Sequence, residues 1–246
     1  MRLRVREQLL LGASQIKLVA GGGVSSPRTT LDMLTFSARE MRAGVETAAE
    51  RNTYAAVHAF PPAAIRRAVD AGAQCIEHGH LMDEETAKLM ADKGVWLSTQ
   101  PFVGEDDQEP LTGQPRLNFL KLLAGTVALY PIARKHGLKV AFGTDLLFSP
   151  NLAERQGLML THLKRWYSNA EVLKMVTADN AELLALSGTL NPYPGKLGVV
   201  EPGAHADLLV VAGDPLQDVS LLAAPDKNLV LIMKAGKIHK DTRGAR

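Results

Sequence analysis

Five times along this 246-residue chain a helix-like stretch closes at Gly or Asn and a short apolar run follows. The closures fall at Gly12, Asn52, Gly72, Gly94 and Gly137, residues that accept the left-handed backbone ending a helix. Met41, Val45, Ala48 and Ala49 recur at helical spacing before Asn52, and Ile65, Ala68 and Val69 before Gly72. Asp83, Glu84 and Glu85 give the helix ending at Lys93-Gly94 the acidic start that its dipole favours. The runs that follow are Ile16 to Val19, Tyr54 to Val57, Gln74 to Ile76, Val95 to Leu97 and Lys139 to Phe142. Short apolar runs alternating with helices read as parallel strands covered on both faces, an α/β unit repeated.

Two stretches interrupt this alternation. Ala20 to Thr30 holds Gly21-Gly22-Gly23 and Ser25-Ser26-Pro27, and Ser98 to Pro115 holds Pro101, Gly104, Pro110 and Gly113. Both read as loops after strands, where α/β enzymes place substrate-binding segments. Pro131 is expected to kink or split the helix before Gly137. From about Ser187 the pattern changes: Pro192, Pro194, Pro202 and Pro215 punctuate apolar strands at Leu208 to Val211 and Leu229 to Met233, and a turn at Ala235-Gly236 leads to Lys237-Ile238. Residues 187–246 therefore read as a small β-rich module appended to an α/β part of residues 1–186.

Composition removes several classes of function. With 46% hydrophobic residues the chain can bury a sizeable core. A net charge of +2 without a basic, aromatic-interleaved face argues against nucleic acid. No apolar run reaches membrane-spanning length, and Glu7, Gln8 and Lys17 interrupt any leader after the basic start. The single cysteine, Cys75, fits a reducing, cytoplasmic setting and reads as strand packing rather than as a nucleophile.

In a parallel α/β barrel the active site gathers at the C-terminal strand ends. The first strong polar residues there are Lys17, His58, His78 and Asp145. Each alone has an ordinary reading: an edge lysine, a hydrogen-bonded histidine, an aspartate capping a helix. Together, two His, an Asp and a buried Lys on one rim look like a divalent-metal site. An ammonium would repel the cation, but a neutral lysine amine adds CO2 to become a carbamate with two anionic oxygens. His80, in His78-Gly79-His80, is a further candidate: strand alternation makes it a ligand, whereas a strand ending at Gly79 turns it to substrate or solvent. Gly21-Gly22-Gly23 lacks the Gly-Lys-Ser/Thr of a phosphate loop, and no Gly-x-Ser-x-Gly elbow presents a serine. The sequence by itself assigns no role to His136, His162, His205 and His239.

These residues resemble the metal-dependent amidohydrolase superfamily, in its imidazolonepropionase-like and Xaa-Pro or Xaa-Arg dipeptidase branch. The resemblance rests on Gln15-Ile16-Lys17 with the Gly21-Gly22-Gly23 loop, Val57-His58-Ala59, Ile76-Glu77-His78-Gly79 and Phe142-Gly143-Thr144-Asp145. It extends to Gly198 to Gly203, Ala206 to Val211 and Gly213-Asp214-Pro215-Leu216. It implies a partial (β/α)8 TIM-type barrel, strands four to eight, with a small C-terminal β-sandwich portion. Lys17 would be the carboxylated bridging lysine, His58 and His78 metal ligands, and Asp145 a ligand that also shuttles a proton. Gly22 and Gly23 would join His80 at the substrate. The implied reaction is hydrolysis of a C–N bond in a dipeptide or cyclic amide by water activated at one or two divalent ions, zinc by donor type.

The family's first strand ends in a His-x-His pair, and no His precedes Lys17. Phe60 stands where relatives often carry Tyr. Competing readings are a catalytically silent fragment and a metal-binding or interaction module that needs a further N-terminal segment. Open barrel edges would favour association between copies.

Overall fold

In a computed structural model describing residues 1–26, 28–146, 150–193 and 195–244, left-handed backbone closes each helix-like stretch at the expected residue. The φ angle is 97° at Gly12, 58° at Asn52, 93° at Gly72, 66° at Gly94 and 61° at Gly137. The elements that follow from these closures are α1 (Arg2–Leu10), β1 (Ile16–Val19), α2 (Ala38–Ala49), β2 (Ala55–Ala59), α3 (Pro62–Asp70) and β3 (Cys75–His78). Then come α4 (Glu84–Asp92), β4 (Trp96–Thr99), α5 (Gly113–Lys135) and β5 (Val140–Phe142). The strands form one parallel sheet in chain order, β1-β2-β3-β4-β5, which does not close into a barrel among the described residues. Pro27 and Pro194, cited above as loop signals, lie outside the described residues.

Local chemistry explains the helix starts. Ser37 and Glu40 form a capping box on α2, with Glu40 N donating to Ser37 Oγ and Ser37 N to the Glu40 carboxylate. The Asp83 carboxylate accepts from Thr86 N at 2.8 Å and caps α4. Two expectations are corrected. The loop after β4 ends at Thr112, and Pro115 lies in the first turn of α5, where an N–H has no helical partner to lose. Pro131 does not split α5, which runs on to Lys135; it sits on the exposed face near the helix end, where water can satisfy the freed carbonyl.

Strand alternation sorts the core into two layers. Leu18, Val57, Ile76, Leu97 and Val140 face the helices and pack with Met41, Ile65, Met90 and Leu129. The concave face carries Tyr54, Ala56, Cys75, Trp96 and Ala141, closed below by Leu183. Cys75 is fully buried there, a packing residue as its surroundings in the sequence imply. Above this plug, Lys17, His58, Glu77 and Ser98 lie on the same face, with His58 in register with Glu77 and Glu77 with Ser98.

After β5 the chain forms α6 (Pro150–Ala153), α7 (Gln156–Thr161) and α8 (Asn169–Lys174), then a π-helical turn (Met175–Asp179) leading into α9 (Asn180–Ala185). That turn delivers Asn180 to the outer edge of β5. Its Nδ2 donates to Phe142 O at 3.0 Å and its Oδ1 accepts from Phe142 N at 2.9 Å, so one side chain stands in for a neighbouring strand. On the opposite edge Thr35 donates to the Val19 and Ala20 carbonyls where β1 ends.

The C-terminal module is a three-stranded antiparallel sheet of β6 (Leu208–Val211), β7 (Leu229–Lys234) and β8 (Lys237–Asp241), where the resemblance implies a sandwich portion. Val219, from this module, is buried within the core of the α/β part, and Asn169 Nδ2 donates to the Leu216 and Gln217 carbonyls. The two parts thus share packing across residue 187. No helix among the described residues is long and apolar enough to cross a membrane.

The Asn180 bridge generates a test. Asn180→Ala leaves the Phe142 N–H and C=O without their partners, which should lower stability by about 1–3 kcal/mol. Urea unfolding measures the loss, and hydrogen exchange should quicken at the Phe142 amide while the β2–β3 amides stay protected.

Candidate active site

At the C-terminal end of the sheet a cavity of about 430 Å³ is lined by Lys17, His58, His78 and Asp145 together with Phe60, Phe102, Phe119, Leu122 and Gly23. Three strands and the segment after β5 thus deliver the four residues singled out by sequence to one place. The rings of His58 and His78 meet edge to face with centroids 4.5 Å apart. Asp145 Oδ2 lies 4.0 Å from His78 Nδ1.

His58 reaches the cavity by ordinary alternation, in step with Ala56 on the concave face. His78 does not. It follows Glu77, which lies on the concave face in register with His58, so a regular strand would turn His78 toward the helices. Its φ of 77° swings the ring back, and Asp145 likewise sits at φ 54°. For non-glycine residues this conformation costs roughly 1–2 kcal/mol, and such costs concentrate at functional sites.

Both imidazoles are held by protein oxygens that can only accept. His58 Nε2 donates to the Gly22 carbonyl at 3.2 Å, and His78 Nδ1 to Gln100 Oε1 at 2.9 Å. The remaining nitrogens, His58 Nδ1 and His78 Nε2, then carry lone pairs, the form in which histidine binds a metal. Among the described residues, however, no three His, Cys, Asp or Glu side chains converge closely enough to hold a metal by themselves. Two imidazole lone pairs and the Asp145 carboxylate are donor types that suit a divalent ion.

Burial shapes the titration of the site. It lowers His58, with the Lys17 charge acting in the same direction and the Gly22 carbonyl opposing. It holds His78 well below the usual histidine range, helped by His58 and His80. Burial also raises the Glu77 carboxyl, while Lys17 and the 2.9 Å hydrogen bond from Ser98 Oγ pull it back. Asp145 is raised by burial against the pull of Lys17 and His58; with 46% of its side chain exposed, water screens most of this effect.

Several expectations change. Lys17 is exposed rather than buried, because β1 is an edge strand and nothing among the described residues covers the concave face beside it. His80 meets neither solvent nor cavity. It is 1% exposed, stacks on Phe102, donates from Nε2 to Gln100 O at 3.0 Å, and its Nδ1 finds no partner among the described residues. Strand alternation fails for it because both His78 and Gly79 have positive φ. Gly23 lines the cavity, whereas Gly22 serves by its backbone: a Cβ there would stand 2.2 Å from Thr30 O.

Sequence reasoning missed Glu77, Gln100 and His162. Glu77 was findable, since it is two residues from Cys75 on one face and in register with His58. His162 pairs with buried Asp107 at 3.5 Å and bonds Pro101 O, fastening the loop after β4; no spacing signals this contact.

With this geometry in place, the family is plain. The family model described as "Amidohydrolase family" matches residues 2–239, and the chain belongs to that family. Among curated proteins, ochratoxinase of Aspergillus niger is 29% identical over 243 residues, covering 97% of this chain and 49% of that protein. The crystal structure of an amidohydrolase superposes with a TM-score of 0.87 at 36% identity, covering 98% of this chain and 57% of that one. A prolidase complexed with N-methylphosphonate-L-proline gives 0.88 at 32% identity, with coverage of 98% and 58%. The chain spans about half the length of the curated relatives it matches.

Two outcomes test this geometry. Buried neutral His80 has its pKa pushed down to about 4. Between the free-histidine value near 6.5 and that figure, only the unfolded chain takes up its proton, so stability falls on acidification and is unaffected above about pH 7. His80's share of the slope is about 1.4 kcal/mol per pH unit, on top of what the lowered His58 and His78 add, and is read as the difference between urea melts of metal-free wild type and His80→Gln. Glu77 acts oppositely, its contribution being lost as pH rises through its raised pKa. For Gly22→Ala, the clash with Thr30 should displace the Gly22 carbonyl and cost about 1–3 kcal/mol in a thermal melt, more than Gly23→Ala, where a Cβ meets open space.

Proposed function

We propose that this chain carries the hydrolytic residues of an amidohydrolase that cleaves a C–N bond in a small amide, a dipeptide or a cyclic amide. One observation carries the reading: Lys17, His58 and His78 from three strands and Asp145 from the segment after β5 face one cavity, with a lone pair left free on each ring. A divalent ion, zinc by the mix of nitrogen and oxygen donors, would be held by His58, His78, Asp145 and the carbamate of Lys17. When bound, it supplies a Lewis acid for the scissile carbonyl and a source of nucleophilic water at neutral pH.

The chain's own groups do the rest. Lys17 is exposed to dissolved CO2: the amine that has given its proton to water adds CO2, a second proton leaves to water, and the anionic carbamate replaces a repelling cation. Asp145, at the cavity mouth, accepts the proton of the attacking water and returns it to the leaving nitrogen. Phe60, Phe102, Phe119 and Leu122 exclude bulk water and receive an apolar part of the substrate. Similarity to a prolidase and to ochratoxinase supports an amide substrate.

A second reading, metal binding without turnover, is favoured by the open sheet and by the relatives' greater length. Elemental analysis and zinc titration come first, then hydrolysis of dipeptides, cyclic amides and N-acyl amino acids. The hydrolase reading expects bound zinc, lost in His58→Ala and His78→Ala, and a fall of about 10²–10⁴ in kcat for a folded Asp145→Asn variant. Zinc without turnover supports the second reading. Full turnover in Asp145→Asn sinks the assignment of Asp145.

A further inference from the structure

Gln100, one residue beyond β4 and only 2% exposed, ties down the segment that carries His78. Its Oε1 accepts from His78 Nδ1 at 2.9 Å, and its own carbonyl accepts from His80 Nε2 at 3.0 Å. Its neighbour Thr99 donates from Oγ1 to the His78 carbonyl at 2.6 Å. Three hydrogen bonds thus fasten His78-Gly79-His80, whose first two residues have positive φ, to the dipeptide Thr99-Gln100.

A second acceptor competes for the same proton. Asp145 Oδ2 lies 4.0 Å from His78 Nδ1, just beyond hydrogen-bond distance. If the Nδ1 proton went to Asp145, the carboxylate would be drawn onto the imidazole and away from the cavity. If the proton moved to Nε2, the lone pair facing the cavity would be lost. A neutral amide oxygen on Nδ1 prevents both, and does so without adding a further buried charge beside Glu77.

We propose that Gln100 is a positioning residue: by taking the Nδ1 proton of His78 it fixes the tautomer that leaves Nε2 free for a ligand and keeps Asp145 available. This rests on the metal-site reading above for what Nε2 binds, but the control of the tautomer belongs to the metal-free chain and is measured there.

The experiment uses the full chain with 15N-labelled histidine. Two-bond 15N–1H correlation spectra of metal-free protein report which nitrogen of each ring carries the proton, and zinc titration against a competing chelator reports affinity. Wild type should show His78 protonated at Nδ1. Gln100→Met should raise the Nε2–H population of His78 and weaken zinc binding by about 10–100-fold. Gln100→Glu, which keeps an acceptor at the same place, should restore the Nδ1–H form; it also serves as the folded comparison if Gln100→Met unfolds, since a change of tautomer at His78 there overturns the proposal. An Nε2–H tautomer in wild type overturns it as well, because the amide would then be donating. So does a folded Gln100→Met variant with unchanged tautomer and zinc affinity. A wild-type chain that binds no zinc while Gln100→Met still shifts the tautomer overturns the metal reading and supports the control by Gln100.

Discussion

The site depends on one backbone conformation, the left-handed turn of His78. A parallel strand sends successive side chains to opposite faces, so Glu77 and His78 cannot both lie on the concave side while the pleat continues. At φ 77° the pleat stops one residue early, and the ring of His78 comes round to within 4.5 Å of His58. The cost is borne by fastenings from β4, through Thr99 and Gln100. The layer below is rigid for a different reason: Trp96, Tyr54 and Leu183 fill the concave face, so the polar residues stand on a packed floor. Function here is a thin polar layer above an ordinary hydrophobic one.

The alternation of helix and strand was legible because its punctuation is chemical. Gly12, Asn52, Gly72, Gly94 and Gly137 can close a helix at positive φ, and all of them do. His58 could be placed by counting from its strand. The residues around His78 could not be placed in that way, since counting assumes a pleat and the pleat ends there. That is why His80, an apparent ligand by spacing, proves to be a buried brace. Long-range fasteners such as Asn180 and His162 leave no trace in local patterning; their partners lie 38 residues away at Phe142 and 61 away at Pro101. Lys17 is the opposite case. Its place was readable from the strand, but its exposure was not, because exposure depends on which neighbours a strand lacks.

The family assignment and the extent of the chain bear on each other. An amidohydrolase match over residues 2–239 coexists with relatives about twice as long, and the sheet stays open. What the chain does contain is a self-consistent polar cluster: two imidazoles each with one ring nitrogen secured, a carboxylate at the mouth, and an amine at the edge. The floor beneath them is closed by the chain's own α9, so the polar layer does not need a closed barrel to stay dry from below.

The two edges of the sheet are unequal. Asn180 imitates a strand along Phe142 and seals β5 there, whereas no strand lies along the outer side of β1 among the described residues. A sheet with two open edges can add neighbours without limit, and it is this that leads to fibres. A sheet sealed on one side has a single vacancy. Here the open side is the one that carries Lys17, so any strand that pairs with β1 lies directly beside the amine lining the cavity.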